Sequence, residues 1–195
     1  MTTPARLATR ALLSVATVLI VALQFLDPGV GPLEKPMSSY ALGAYANLWL
    51  VAVLAAGIAM VIESRRHDAT RSTMASRILT GTGIAFIVLA LFTTDPWYPW
   101  QHALTPRGWT HVIATGAGMG GLALSMTFHL VAVRHEGRTG RARVAAMVAA
   151  AYVILVTLIG LATLILVILG RDVPLIGLEE RVLMVLGFLW LALES

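Results

Sequence analysis

The chain has 195 residues, of which 58% are hydrophobic and only 12% are charged, and its formal net charge is +4. An ordinary soluble domain carries about 25% charged residues, and a small globule cannot bury this much apolar side chain, so the composition excludes a water-soluble fold. The sequence contains no cysteine, which excludes disulfides, thiolate metal sites, thiol nucleophiles and Fe–S clusters.

Six apolar segments follow one another and predict an all-α fold, an antiparallel bundle of six transmembrane helices forming a single integral membrane domain over residues 1–195. A spanning helix needs about 20 residues, within a range of about 17–25. The third and sixth segments are shorter and need flanking residues or a locally thin bilayer. The predicted helices cover about 7–26, 40–62, 78–93, 109–133, 144–170 and 181–193.

The basic residues alternate between the two sides of these segments. Since basic residues favour the cytoplasmic side, the bias predicts a plasma-membrane protein with both termini in the cytoplasm. No nucleic-acid motif accompanies the charge, so we expect membrane lipids and no nucleic acid as partners. One side carries Arg6, Arg10, Arg65, Arg66, Arg71, Arg77, Arg134, Arg138, Arg141 and Arg143, and the other carries Lys35, Arg107, Arg171 and Arg181.

The second segment begins with three polar side chains, Ser38, Ser39 and Tyr40. In a continuous helix Asn47 would lie about 10 Å below Tyr40, as an amide inside the membrane that needs a partner. A bond to a neighbouring helix or a ligand would satisfy it. Ser39 is an N-cap candidate first, and a nucleophile or metal-shell residue second. We predict ligand-binding roles for Ser39, Tyr40 and Asn47.

The loop between the third and fourth segments folds back on itself. Thr105-Pro106 predicts a helix start, with Thr as N-cap and Pro at the first helical position. Asp95 ends the third segment and His111 lies in the second turn of the fourth, so the two should lie close together. Such a pair can act as general base or bind a metal, which makes Asp95 and His111 the catalytic candidates. The alternative is a capping Asp and an interfacial His.

Four aromatic residues lie within this loop or at its end, a pattern that is typical of anchoring at a membrane interface. The loop also contains His102, which we interpret as a surface residue. The four aromatic residues are Trp97, Tyr98, Trp100 and Trp109.

One face of the fourth segment is small and polar along its length. Lipid offers polar groups no partner, so we expect this face to turn toward the other helices. Gly116 with Gly120, and Ala117 with Gly121, have the small-xxx-small spacing of close helix contacts. The same glycines match the pattern of a dinucleotide-binding loop, but no strand precedes them. The face consists of His111, Thr115, Gly118, Leu122, Ser125 and His129.

The sixth segment opens with Glu179-Glu180-Arg181. Acidic residues are favoured at a helix N-terminus, and Arg181 enters an apolar segment where it needs an anion. We predict that Glu180 and Arg181 bind ligand. We also predict that Asp95 reaches Arg181 or His111 at the floor of an outward-facing pocket, whose wall contains residues 39 and 40.

Four short motifs together resemble the six-helix prokaryotic membrane family catalogued as domain of unknown function 998. The resemblance implies six helices and draws attention to five polar positions, Ser39, Asp95, His111, Glu180 and Arg181. The motifs are Ser39-Tyr40-Ala41, Thr94-Asp95-Pro96, Gly108-Trp109-Thr110-His111 and Gly177-Leu178-Glu179-Glu180-Arg181.

Three functional hypotheses follow. The first is a membrane protein whose outward-facing polar cavity binds a lipid or a small molecule. The second is a metal-assisted lipid hydrolase using Asp95 and His111, with His102 or Glu180 as further ligands. The third is an accessory subunit that packs through its glycine faces against a membrane-protein partner or a second copy of the chain. The sequence specifies no cofactor and no metal.

Overall fold

The computed structural model describes residues 3–33, 35–65, 73–96, 104–134, 140–168 and 176–194. Within these ranges the chain is all-α, as predicted, with six α-helices, one 3-10 helix and no strand. The α-helices are α1 (Thr3–Leu26), α2 (Ala46–Ser64), α3 (Thr73–Leu91), α4 (Pro106–Arg134), α5 (Arg141–Ile168) and α6 (Ile176–Glu194), and the 3-10 helix is Met37–Leu42.

Four helices in the described part of the chain are long and apolar enough to cross a membrane. These apolar spans are consistent with a membrane protein, as the composition predicted. The third predicted helix was too short, because α3 begins five residues earlier than expected, at Thr73, and its 19 residues reach a spanning length. The four spans are Pro4–Leu26 in α1, Ala46–Ser64 in α2, Thr73–Leu91 in α3 and Ala142–Thr163 in α5.

The second predicted helix is interrupted near its start. The 3-10 helix ends at Leu42, the backbone of Gly43 after it is extended, and α2 begins only at Ala46. The carboxylate of Asp27 packs directly on Gly43, where a Cβ atom would collide with it. Asn47 consequently lies in the first turn of α2 with its side chain exposed, and not on a helix continuous with Tyr40.

Consecutive helices pack against each other, from α1 against α2 to α5 against α6. The backbones of α2 and α3 approach each other closely, and a Cβ on Gly57 would lie 2.8 Å from the Gly83 carbonyl oxygen. By contrast, α1 and α6 make few contacts with each other. We call the end of the bundle where α1 ends and α6 begins the Arg181 end, and the opposite end the Arg10 end.

The polar face of α4 turns inward, as predicted. His111, Ser125 and His129 are buried, and Gly118 packs on the ring of Phe86. A Cβ on Gly121 would lie 2.5 Å from Thr82 Oγ1 in α3. Small residues on this face therefore allow α4 to approach α3 closely.

Candidate functional site at one end of the bundle

Asp95 anchors the N-terminus of α4. Its two carboxylate oxygens accept hydrogen bonds from the backbone N–H of Thr105, at 2.8 Å, and from Thr105 Oγ1, at 2.7 Å. Thr105 Oγ1 in turn accepts the backbone N–H of Gly108 at 3.1 Å, so the predicted N-cap is confirmed. Asp95 occupies the space that a Cβ on Gly108 would need. The structure thus gives Asp95 a capping role.

His111 is buried, with 4% of its surface exposed, and its ring is fixed by the end of α3. Its Nδ1 lies 2.8 Å from the backbone carbonyl oxygen of Phe92. Because a carbonyl only accepts hydrogen bonds, Nδ1 carries the proton, and in the neutral ring Nε2 is then the acceptor. The predicted catalytic pair does not form a hydrogen bond, since Asp95 is bound by Thr105 and His111 by Phe92.

Glu180 and Gly177 fasten α6 to the segment that follows α1. A carboxylate oxygen of Glu180 accepts the backbone N–H of Met37 at 2.6 Å. The backbone N–H of Gly177 donates to the Leu33 carbonyl at 3.1 Å. A Cβ on Gly177 would collide with the Lys35 carbonyl oxygen, so this close docking requires glycine.

Arg181 is held by neutral oxygens. Its Nε donates to Gln24 Oε1 at 2.9 Å, and its Nη1 donates to the carbonyls of Lys35, at 3.2 Å, and Gly177, at 2.8 Å. Its Nη2 donates to the Tyr40 hydroxyl at 3.3 Å, and the guanidinium carbon lies 5.8 Å from the centroid of the Tyr40 ring. Arg181 therefore ties α6 to α1 and to the 3-10 helix.

The four sequence motifs form two separate clusters. Thr94-Asp95-Pro96 meets Gly108-Trp109-Thr110-His111, and Ser39-Tyr40-Ala41 meets Gly177-Leu178-Glu179-Glu180-Arg181. The described residues include no contact between Asp95 and Arg181, because Gly177 docks the start of α6 beside Leu33 and Lys35. Trp109 is exposed at the surface, whereas His102, Trp97, Tyr98 and Trp100 lie outside the described residues.

A small cavity of about 20 Å³ connects the two clusters. This volume is close to that of one bound water. Trp49 in α2 lines it, and the buried indole N–H of Trp49 has no acceptor within the described chain. The sequence patterns did not identify Trp49 or Thr115 as residues that line a cavity. They also indicated Ser39 as a site residue, whereas Ser38 lines the cavity. Its polar lining consists of Ser38, Trp49, His111, Thr115 and Glu180.

A larger groove of about 740 Å³ lies between α1 and α6. Its volume falls within the range of about 300–1,000 Å³ that is typical of ligand sites. Arg181 and Gln24 lie at one end of the groove and Arg10 at the other, and Met37 and Met184 line both this groove and the small cavity. The full lining is Arg10, Leu13, Ser14, Thr17, Val18, Ile20, Val21, Gln24, Met37, Arg181, Met184, Val185, Phe188, Leu189 and Ala192.

The other buried histidine lies far from this end of the bundle. His129 Nε2 is 3.2 Å from a carboxylate oxygen of Glu194, and its ring meets the ring of Trp190 edge to face. Over the ranges that the structure describes, no three His, Cys, Asp or Glu side chains group closely enough to hold a metal ion. The two histidines of α4 thus serve opposite ends of the bundle.

Comparison with known proteins identifies a family for this chain. The model of a family described as "Protein of unknown function (DUF998)" matches residues 11–194, a range that includes all four motifs. No curated protein and no solved structure matches the chain.

Proposed function

The chain belongs to the DUF998 family, and we propose, from its own geometry, that it is an integral membrane protein that binds a lipid. The ligand lies in the groove between α1 and α6, with an anionic head group at Arg181. The observation that carries this proposal is the position of an arginine at the end of an apolar groove of ligand size.

In this proposal all six α-helices cross the membrane in antiparallel order. Four helices have spanning length and apolarity, and α4 and α6 add 29 and 19 residues, long enough to cross beside them. The sequence has an excess of basic residues near the Arg10 end, which favours a cytoplasmic position for that end and for both termini in a plasma-membrane protein. The Arg181 end then faces outward.

The groove opens sideways toward the bilayer. Few contacts join α1 to α6, and the groove residues Val18 and Val185 expose 65% and 64% of their surface. In a membrane such exposed apolar side chains meet lipid chains instead of water. A lipid can therefore enter laterally, without a conformational change in the bundle.

Arg181 has capacity for an additional acceptor. A guanidinium has five N–H groups. The bonds to described residues use one on Nε, two on Nη1 and one on Nη2, which leaves one N–H on Nη2. Hydrogen bonds between a guanidinium and a phosphate or carboxylate are about twice as strong as neutral ones, which favours an anionic head group.

Native mass spectrometry of the protein released from nanodiscs containing phosphatidic acid tests the proposal. We expect the wild type to retain lipid, and Val185→Trp, which fills the groove, to lose it. Leu158→Trp is the matched control, because Leu158 on α5 is also exposed but lies outside the groove. Arg181→Gln should weaken retention of phosphatidic acid more than retention of a neutral diacylglycerol. Equal retention by Val185→Trp and Leu158→Trp would contradict the proposal.

The hydrolase hypothesis gains no support from these contacts. The hydrogen bonds of the Asp95 carboxylate in the described chain go to Thr105, and that of the His111 ring goes to the Phe92 carbonyl. The lipid-binding proposal requires no reaction and uses Arg181 as the head-group contact.

A further inference from the structure

The indole N–H of Trp49 is a buried donor that needs a partner. Only 4% of the residue is exposed, and its Nε1–H has no acceptor among the described residues. An indole nitrogen can only donate, and a buried donor left unpaired costs about 1–3 kcal/mol. Trp49 lines the small cavity at the Arg181 end of the bundle, so the cavity is the space in which an acceptor can reach it. An unpaired polar group in such a position indicates a bound molecule.

His111 offers the complementary group to the same cavity. Its Nδ1 donates to the Phe92 carbonyl oxygen at 2.8 Å, so Nε2 of the neutral ring keeps a lone pair for a donor. Trp49 does not supply this bond directly, since its N–H has no acceptor in the described chain. A molecule that pairs with both side chains therefore has to accept a hydrogen bond from Trp49 and donate one to His111.

The size and the lining of the cavity fit one water molecule. A water needs about 10–15 Å³ of accessible space and two to four polar partners. The cavity has about 20 Å³, far below the roughly 300 Å³ at which typical ligand pockets begin. Three further polar residues belong to the lining, Ser38, Thr115 and Glu180. A metal cation fits poorly, because an indole N–H presents a positive partial charge to it.

We propose that the cavity binds one water molecule, which accepts the Trp49 N–H and donates to Nε2 of His111. The water joins α2 to α4 inside the bundle. Because the ring of Trp49 packs against that of Tyr40, with centroids 6.3 Å apart, the water also links the motif that contains Tyr40 to the motif that contains His111. It holds His111 in the neutral form with its proton on Nδ1. This inference goes beyond lipid binding and does not depend on what occupies the groove.

Nuclear magnetic resonance on the full-length protein, with its Trp and His residues labelled with ¹⁵N, tests this proposal in detergent micelles. The signals of Trp49 and His111 are assigned by their loss in Trp49→Phe and His111→Gln. We expect a dipolar cross-peak between the Trp49 indole proton and water, because a water bound in the cavity stays close to that proton.

A pair of matched valine variants locates the water. Val53 lines the cavity, so Val53→Ile places an additional methyl group in the space of the water. Val51→Ile is the control, because Val51 is exposed on the same helix and does not line the cavity. Val53→Ile should lose the cross-peak and shift the Nε2 resonance of His111, and Val51→Ile should change neither.

Three results would overturn the proposal. They are a wild type without the cross-peak, a cross-peak that Val53→Ile leaves as strong as Val51→Ile does, and a cross-peak whose loss leaves the His111 Nε2 resonance unmoved. If Val53→Ile does not fold, Trp49→Phe removes the donor itself and should shift the His111 resonance. Trp190→Phe, beside His129 at the other end of the bundle, is its control and should leave that resonance in place. Equal resonances in these two variants also overturn the bridge.

Discussion

The contact between Gly57 and Gly83 should make α3 highly sensitive to one added methyl group. A Cβ on Gly83 would lie 2.6 Å from the Gly57 carbonyl oxygen, and ordinary contact begins at 3.4 Å, so α2 and α3 would have to separate by about 0.8 Å. The obstructing atom belongs to helical backbone, which cannot rotate away. A gap of this size forfeits about a quarter to a half of the dispersion energy of the atom pairs it separates.

The matched control lies two residues earlier in the same helix. Gly81 has no atom within 4 Å of its added Cβ, so Gly81→Ala gains helix propensity without a collision. Gly83→Ala gains the same propensity, so propensity cancels in the comparison. We expect Gly83→Ala to be less stable than Gly81→Ala by about 1–3 kcal/mol, the usual cost of overpacking.

Denaturant unfolding in detergent micelles, followed by circular dichroism, measures this difference. Equal stability of the two variants within about 0.5 kcal/mol, the scatter of neutral surface changes, would refute the close packing of α2 on α3. A more stable Gly83→Ala variant would refute it more strongly.

Three further predictions follow from the ends of the bundle. Gly108→Ala should lower the free energy of unfolding by about 1–3 kcal/mol in the wild type, because the added Cβ meets the Asp95 carboxylate. The same substitution should cost much less in an Asp95→Ala background. A double-mutant cycle of unfolding energies that shows no coupling would disprove the contact. Glu180→Ala should destabilise the protein by about 1–3 kcal/mol by leaving the Met37 N–H without an acceptor, whereas Glu180→Gln, which still offers an oxygen, should lower the melting temperature less. A reporter fused to the C-terminus should read as cytoplasmic, and a periplasmic signal would contradict the orientation.

Patterns within single helices predicted their local structure well. The inward face of α4 followed from the spacing of its small and polar residues, and Thr105-Pro106 marked the start of that helix. Both signals depend on residues a few positions apart. Local spacing determines which face of a helix is polar and where its first turn needs a cap.

Contacts between distant segments were beyond the sequence patterns. The break at Gly43 depends on packing by Asp27, and the partners of Arg181 depend on the docking of Gly177 beside the Lys35 carbonyl. A search for charge complements led to Asp95 or Glu180 as the partner of Arg181. The structure instead satisfies Arg181 with neutral oxygens, which have no distinctive sequence signal.

The sequence patterns did not predict the groove between α1 and α6 either. Residues of α1 that line it have the same apolar character as residues that would pack against another helix. Lipid chains are as apolar as leucine, so a face that meets lipid and a face that meets protein look alike in composition. Only the sparse contact between α1 and α6 distinguishes them.

A crystal structure grown from a lipidic mesophase containing phosphatidic acid would test the central claim most directly. The account predicts elongated density between α1 and α6, with its phosphate within hydrogen-bonding distance of Arg181 Nη2. Direct packing of α1 on α6 that leaves no groove, or a phosphate bound elsewhere on the protein, would contradict it.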